Sequence, residues 1–420
     1  MDYRKVPWPA LGRIVAALAL AGGGFGAGAA AERSGALPGA IVREPAGVES
    51  TFSIFWQAWD LVQQRYVERQ AIDQTQMTYG AVEGMLDALG DTGHTRFLSP
   101  KELQDFQASL AGRLEGIGAE VGMRNGRPTI IAPIPGSPAQ RAGLRPGDVI
   151  VRVDGREVSG LKVDQVVDLV RGPAGSPVTL TVIHPDQGGL TDVTVTRARI
   201  TVPSVSWARV PGTAVAHVLI SQFAERTTDD LVGALNEARS GGATAIVLDL
   251  RNDPGGLRDE AIGAASQFLG EGNVLIERDA QGHETPFPVR AGGVATDLPL
   301  VALINEGTAS SAEILAGALQ DRHRGPLIGA TTVGTGTVLS LYHLSDGSAV
   351  FLGTSEWLTP DGRQIWHHGI APDVPVALPP GAFPLIPNEE SGLSPEQLQA
   401  SQDAPLLRAL QELGQAAAGR

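Results

Sequence analysis

No cysteine occurs anywhere in the chain, which excludes disulfides and thiolate metal sites and leaves the compartment undecided. Lysine is nearly as scarce: of 32 basic residues only Lys5, Lys101 and Lys162 are lysines, and none follows Lys162. Few side chains are therefore left to act as an amine base. The net charge of −14 makes nucleic acid an unexpected partner. Beyond the first 31 residues no apolar stretch is long enough to span a membrane. No motif calls for a metal or a cofactor.

What is present begins with a globular frame. With 420 residues, 42% hydrophobic and 19% charged, the chain can build two or three cores. Arg4, Lys5 and Arg13 precede the apolar segment Ile14–Leu20, which fades into small residues ending Ala29-Ala30-Ala31. That order reads as a secretory signal over residues 1–31, with an uncleaved membrane anchor as the alternative; either places the body outside the cytoplasm. A linker follows (32–50), then a helical region (51–112). There Phe52, Phe55, Trp56, Trp59, Val62 and Tyr66 recur at helical spacing. A later helix opens with the capping box Ser99-Pro100-Lys101-Glu102. So many aromatics on one short helix exceed what this small segment can bury. Packing against the rest of the chain and a homodimer interface both stay open.

From about Leu114 the chain turns to short β-prone runs. Gly116-Ile117-Gly118-Ala119 opens a strand, followed by Gly136-Ser137-Pro138-Ala139, Gly143-Leu144-Arg145-Pro146-Gly147-Asp148, Val153-Asp154-Gly155 and a helix over 163–170. In that order these motifs resemble a PDZ domain spanning 113–200. The resemblance implies that an extended C-terminal peptide adds to a sheet edge, its carboxylate held by backbone N–H groups of Gly116, Ile117, Gly118 and Ala119.

Residues 201–378 alternate apolar strands with helices, an α/β pattern. The run Ala245–Leu250 reads as a strand buried on both faces and ends in Arg251-Asn252-Asp253-Pro254-Gly255-Gly256. Leu300–Ile304 is another, running into Asn305-Glu306-Gly307-Thr308-Ala309-Ser310-Ser311-Ala312-Glu313. A serine where a strand meets a helix start sits at the sheet mouth, beside open N–H groups and the positive helix end. Residues 379–420 read as a Pro-rich tail with one amphipathic helix over Pro395–Leu413.

Taken in order, Asp91–Leu98, the 249–256 loop, the 305–314 segment and Gly369-Ile370-Ala371-Pro372-Asp373-Val374 are similar to the C-terminal processing peptidases from about Thr51 to Val376. The fold implied is a multi-domain α/β protein, with a helical region and a PDZ domain ahead of a serine peptidase-like core. The resemblance implies Ser310 as nucleophile, an oxyanion hole from N–H groups around Gly255, Gly256 and Ser310, and protein tails as ligands.

Two departures stand out. In the family the later segment reads Gly-Lys-Gly-x-Val-Gln, the lysine being general base and the glutamine its orienter. Here those positions are Thr335 and Leu339. Threonine has no accessible pKa for this task and leucine offers no hydrogen bond. Of the other groups, His367, His368 and Asp253 are the candidate substitute bases; His94 reads as structural, His217 as an ordinary strand residue, and His343, eight strand residues past Thr335, is about 26 Å along the chain and out of reach. The reading is an extracytoplasmic pseudopeptidase that binds tails as adaptor or regulator. The alternative is an active serine endopeptidase with a substitute base.

Overall fold

The computed structural model describes residues 49–418, apart from 92–93, 125, 135, 162, 186–188, 202 and 380–381. The expected signal, most of the linker, and Thr92-Gly93 lie outside the described residues. No helix among the described residues is long and apolar enough to cross a membrane. The chain divides into two compact units.

The smaller unit comprises residues up to Leu103 together with 340–352. It holds α1 (Glu49–Arg65), α2 (Gln74–Asp87), β1 (Arg96–Leu98) and the start of α3 (Pro100–Leu110). Asp73 caps α2 by accepting from the N–H groups of Thr75 and Gln76. The Ser99 cap of α3 forms as expected, its N–H donating to Glu102 at 2.8 Å. Leu86, Phe97, Leu98 and Leu103 are buried, whereas Phe52, Ile54, Trp56, Leu61 and Tyr66 of the α1 region stay exposed. Four of the aromatics, Phe52, Phe55, Trp56 and Trp59, pack on one another at centroid distances of 5.0 to 6.3 Å.

In the larger unit the PDZ-like sheet is built from β3 (Ala119–Arg124), β4 (Arg127–Pro133), β5 (Val149–Val153), β6 (Arg156–Glu157), β7 (Pro177–Ile183) and β8 (Leu190–Thr196). Its order is β3-β4-β5-β7-β8, with β6 on β5, so β3 is an edge. Alternate residues such as Val121, Ile130, Ile150, Leu180 and Val182 point to one core with Val166 and Val170 of α5 (Val163–Val170). Gly116 does not open a strand. It ends β2 (Arg113–Gly116), which pairs with β9 (Ala198–Thr201). Gly118 then turns the chain at φ 74°, because a Cβ there would meet Ser137 Cβ at 2.5 Å.

The peptidase-like sheet runs β10 (Val205–Arg209), β11 (Val215–Ile220), β12 (Ala245–Asp249), β15 (Leu300–Ile304), β16 (Leu327–Gly329) and β19 (Val374–Pro375). Only β10 is antiparallel to its neighbour. All five residues of β12 and of β15 are buried, as continuous apolar runs predict for a sheet covered on both faces. Ile246, Leu248, Leu300 and Ala302 pack against α6 (Thr227–Ser240), α7 (Arg258–Phe268) and α8 (Ser311–Asp321). The intervening Ala245, Val247, Val301 and Leu303 face Leu398, Leu406, Ala409 and Leu413. Burying each such leucine contributes about 1.5–3 kcal/mol.

These last residues belong to the segment expected as a tail. It is the second covering layer of the sheet, and it forms three helices: α9 (Pro387–Glu390), α10 (Pro395–Gln399) and α11 (Ala404–Ala418). The single helix expected over 395–413 breaks because Asp403 caps α11, its Oδ1 accepting the Leu406 N–H at 3.1 Å.

Charge fastens this layer. His217 of β11 is fully buried, with Nε2 3.1 Å from Asp249 Oδ2 and Nδ1 2.9 Å from Glu390 Oε2. Two carboxylates on two ring nitrogens require an imidazolium. Burial alone pushes His217 down, but the bonds to Asp249 and Glu390 outweigh it and hold the pKa up at about 9. Arg251 spans Asp249 and Asp403 at 2.5 and 2.7 Å, all three being buried. The sequence offered His217 as an ordinary strand residue; it is the hub of a buried ionic cluster.

Candidate active site

Two loops at the carboxyl ends of β12 and β15 meet to form the site. Asn305 clamps them: its Oδ1 accepts from Asn252 N–H (2.8 Å) and Gly307 N–H (3.0 Å), and its Nδ2 donates to Asn252 Oδ1 (2.9 Å). Thr308 Oγ1 donates to the Leu250 carbonyl at 2.7 Å, and Ala309 N–H to the Asp253 carbonyl at 2.8 Å. Ser310 follows with φ 54° and ψ −121°, a backbone region that L-residues rarely occupy. Such strain at a strand-to-helix turn projects a side chain outward, as in nucleophile elbows.

Gly255 and Gly256 are required where they stand. A Cβ on Gly255 would lie 2.6 Å from Ser310 Cβ, and one on Gly256 only 2.0 Å from the Phe223 carbonyl oxygen. The glycine loop is strapped by Phe223 N–H to Gly255 O (2.8 Å) and Leu257 N–H to Phe223 O (2.6 Å). Ser311 Oγ adds a bond to Gly256 O at 2.9 Å.

Two of the implied oxyanion donors already have acceptors within the protein. Gly255 N–H donates to Asp253 Oδ1 at 2.8 Å. Ser310 N–H donates to Glu313 Oε2 at 2.9 Å and also to Thr335 Oγ1. Both donors are engaged by the protein's own acceptors, a carboxylate two residues before Gly255 and one three residues after Ser310.

Thr335 is buried beside Ser310. Its hydroxyl donates to Glu313 Oε2 at 2.5 Å while accepting from the Ser310 N–H. Glu313, fully buried, accepts in addition from Thr332 Oγ1 (2.5 Å), Gly334 N–H (2.7 Å) and Thr335 N–H (2.8 Å). A carboxylate offers about four lone-pair sites, so Glu313 is saturated as a hydrogen-bond acceptor. Leu339 is also buried, in the first half of β17 (Thr337–His343). The sequence contained the signal for Glu313: Ser310-x-x-Glu313 is the spacing at which a carboxylate returns to a helix cap.

The other candidate bases fare as follows. His367 and His368 are exposed, on a segment whose backbone abuts the threonine loop. His367 N–H donates to Gly334 O at 3.0 Å, and its ring stacks on Trp366 at 4.6 Å. His217 is locked in the ionic cluster. His94 and His343 belong to the smaller unit. Asp253 is fully buried, and its Oδ2 has no hydrogen-bond partner among the described residues. Burial pushes its pKa well up, against the opposing Gly255 N–H bond and with help from Asp249.

That carboxyl makes a pH prediction. Its folded pKa lies above the unfolded value, so its stabilisation is complete below about pH 3.9 and is lost as pH rises toward the folded pKa. Asp253→Asn is expected to remove this slope: the variant gains Tm relative to wild type at pH 7 and loses the gain at pH 4. A Tm difference that is flat from pH 4 to 8 would show that Asp253 is not a buried neutral acid.

Comparison with known proteins bears on this geometry. The family model for peptidase family S41 matches residues 214–376 and that for the PDZ domain residues 129–183. The carboxyl-terminal-processing protease of Synechocystis sp. is 36% identical over 336 residues, covering 79% of this chain and 78% of its own length. The chain belongs to the carboxyl-terminal-processing protease family. Carboxy-terminal processing protease CtpA of Bacillus subtilis is 33% identical over 331 residues, covering 79% of this chain and 70% of that protein. A solved S41 protease from Bacteroides fragilis matches 81% of this chain and 95% of its own at TM-score 0.53 and 18% identity, which supports the fold alone. Within this family, the structure places Ser310, Gly255, Gly256 and Thr335 together; Gly116–Ala119 leads into β3 of the PDZ-like sheet.

Proposed function

We propose that this protein binds the C-terminal tails of other proteins outside the cytoplasm, with a serine centre that lacks a general base. It acts on this reading as an adaptor or regulator. The observation that carries it is Thr335: its hydroxyl lies where the family's lysine is expected, held between Ser310 N–H and a saturated Glu313. A hydroxyl hydrogen-bonded to a carboxylate has no basic nitrogen to offer, and Leu339 orients nothing. Gly255 and Ser310 keep their N–H groups engaged, which leaves Gly256 to stabilise any oxyanion. Tail binding is supported by β3, an edge strand with α5 packed beside it, and by the Gly116–Ala119 loop at its start.

The alternative, endopeptidase activity with a substitute base, draws on the strained Ser310 and on the exposed His367 and His368 beside Gly334. One preparation separates the two. Full-length protein is incubated with an unfolded protein substrate and with a fluorophosphonate probe, beside Ser310→Ala. No cleavage above the Ser310→Ala background is expected; Ser310-dependent cleavage at an ordinary protease rate overturns the proposal. A second copy is the proposed partner for the exposed aromatic face of α1, and sedimentation of the same preparation as a monomer at micromolar concentration would remove it.

A further inference from the structure

The peptide edge of the PDZ domain ends in an unusual place for so acidic a protein. Arg124 is the last residue of β3, and Arg127 is the first of β4, its partner across the hairpin. Both are exposed, and together with Thr129, Val149 and Pro185 they line an open concavity of about 730 Å³. Val121 is buried in the domain core and Met123 packs against it. Strand alternation therefore turns Arg124 to the opposite face. Two other arginines of the domain are neutralised, Arg152 by Glu157 at 3.4 Å and Arg199 by Glu115 at 3.0 Å. Arg124 and Arg127 carry no ion pair among the described residues. In a chain of net charge −14 they make a local site of the opposite sign.

A peptide adding to β3 with its carboxylate at Gly116–Ala119 runs antiparallel along the edge, its earlier residues moving toward Arg124. From Ala119 to Arg124 the strand rises about 17 Å, so the ligand residue level with Arg124 lies about five positions before its terminus. Alternation brings every second ligand side chain to the arginine face. We propose that Arg124 and Arg127 form an upstream subsite that selects tails bearing an aspartate or glutamate about five residues before an apolar, free C-terminus. The inference rests on the tail-binding reading above and names the class of tail. Guanidinium groups suit it, since their fixed fork pairs a carboxylate at two points.

The test uses full-length protein and fluorescein-labelled nonapeptides that share an apolar C-terminal residue. Three differ at the fourth and fifth residues: Asp-Glu, Ser-Gln or Lys-Lys. A fourth is the Ser-Gln peptide with an amidated terminus. Exposed charge pairs are weak, so at low salt the acidic peptide is expected to bind about three- to tenfold tighter than the neutral one. The Lys-Lys peptide should be weaker still. The preference should vanish near 1 M salt, where the screening length falls to about 3 Å, and should reverse in Arg124→Glu with Arg127→Glu. Arg124→Gln with Arg127→Gln should bind the acidic and neutral peptides alike while keeping the neutral peptide's affinity. Equal binding of all three free-carboxylate peptides, with the amide weaker, would overturn the subsite and leave tail binding intact. Equal binding of the free and amidated Ser-Gln peptides would overturn tail binding, and the subsite with it.

Discussion

Thr335→Lys combined with Leu339→Gln is expected to create peptidase activity, about 10²–10⁴-fold above the wild-type background. The strained Ser310 and the glycine loop already stand in contact, so the missing parts are the base and its orienter. A lysine side chain entering beside Ser310 meets two opposing influences. Burial disfavours its ammonium form, whereas Glu313, which now accepts from the Thr335 hydroxyl, would favour it. The neutral amine is the base, so the rate should climb with pH. The double variant should exceed either single change, because an unoriented lysine is a poor base, and Ser310→Ala should abolish the gain. Cleavage of a tailed substrate, followed from pH 7 to 10, measures it. A folded double variant that stays inert would show that the engaged Gly255 and Ser310 N–H groups disable the site as well.

The second large effect is on stability. Arg251→Ala should cost about 3–5 kcal/mol, because it leaves Asp403 a buried carboxylate without its cation and Asp249 with His217 alone. That corresponds to a Tm lower by roughly 10 °C. Adding Asp403→Asn should recover part of the loss, which a merely packing role for Arg251 would not allow. The same cluster responds to pH through His217. With a folded pKa of about 9 against an ordinary 6.5, its contribution is complete below pH 6.5 and lost as pH rises through 9. Wild-type Tm should therefore fall between pH 7 and 10, and a His217→Phe variant should lack this slope. A wild-type Tm independent of pH over that range would argue against the imidazolium.

Much of this was legible in the residues. The continuous apolar runs at 245–250 and 300–304 announce a doubly covered sheet, and the Ser99 capping box and the serine after β15 follow from local spacing. What the sequence could not show is which distant groups meet. Glu390 and His217 are 173 positions apart. No periodicity joins them, and a histidine in a strand reads as ordinary until its partners are placed. The C-terminal segment misled for a related reason. Its prolines suggest a tail, but amphipathic helices reveal an apolar stripe without saying which surface receives it. The oxyanion region adds a local contest, since Asp253 and Glu313 each accept from an N–H group that the expectation assigned to a substrate.

The C-terminal layer has a consequence for biogenesis. Leu406, Ala409 and Leu413, which cover one face of β12, β15 and β16, are made after every strand they cover. Until they emerge, the growing chain carries a finished set of strands with one apolar side bare, the kind of surface that associates with its neighbours. The core cannot close before that. A chain truncated ahead of α11 should accumulate as an aggregate, so the covering helix is a check that translation has passed this point.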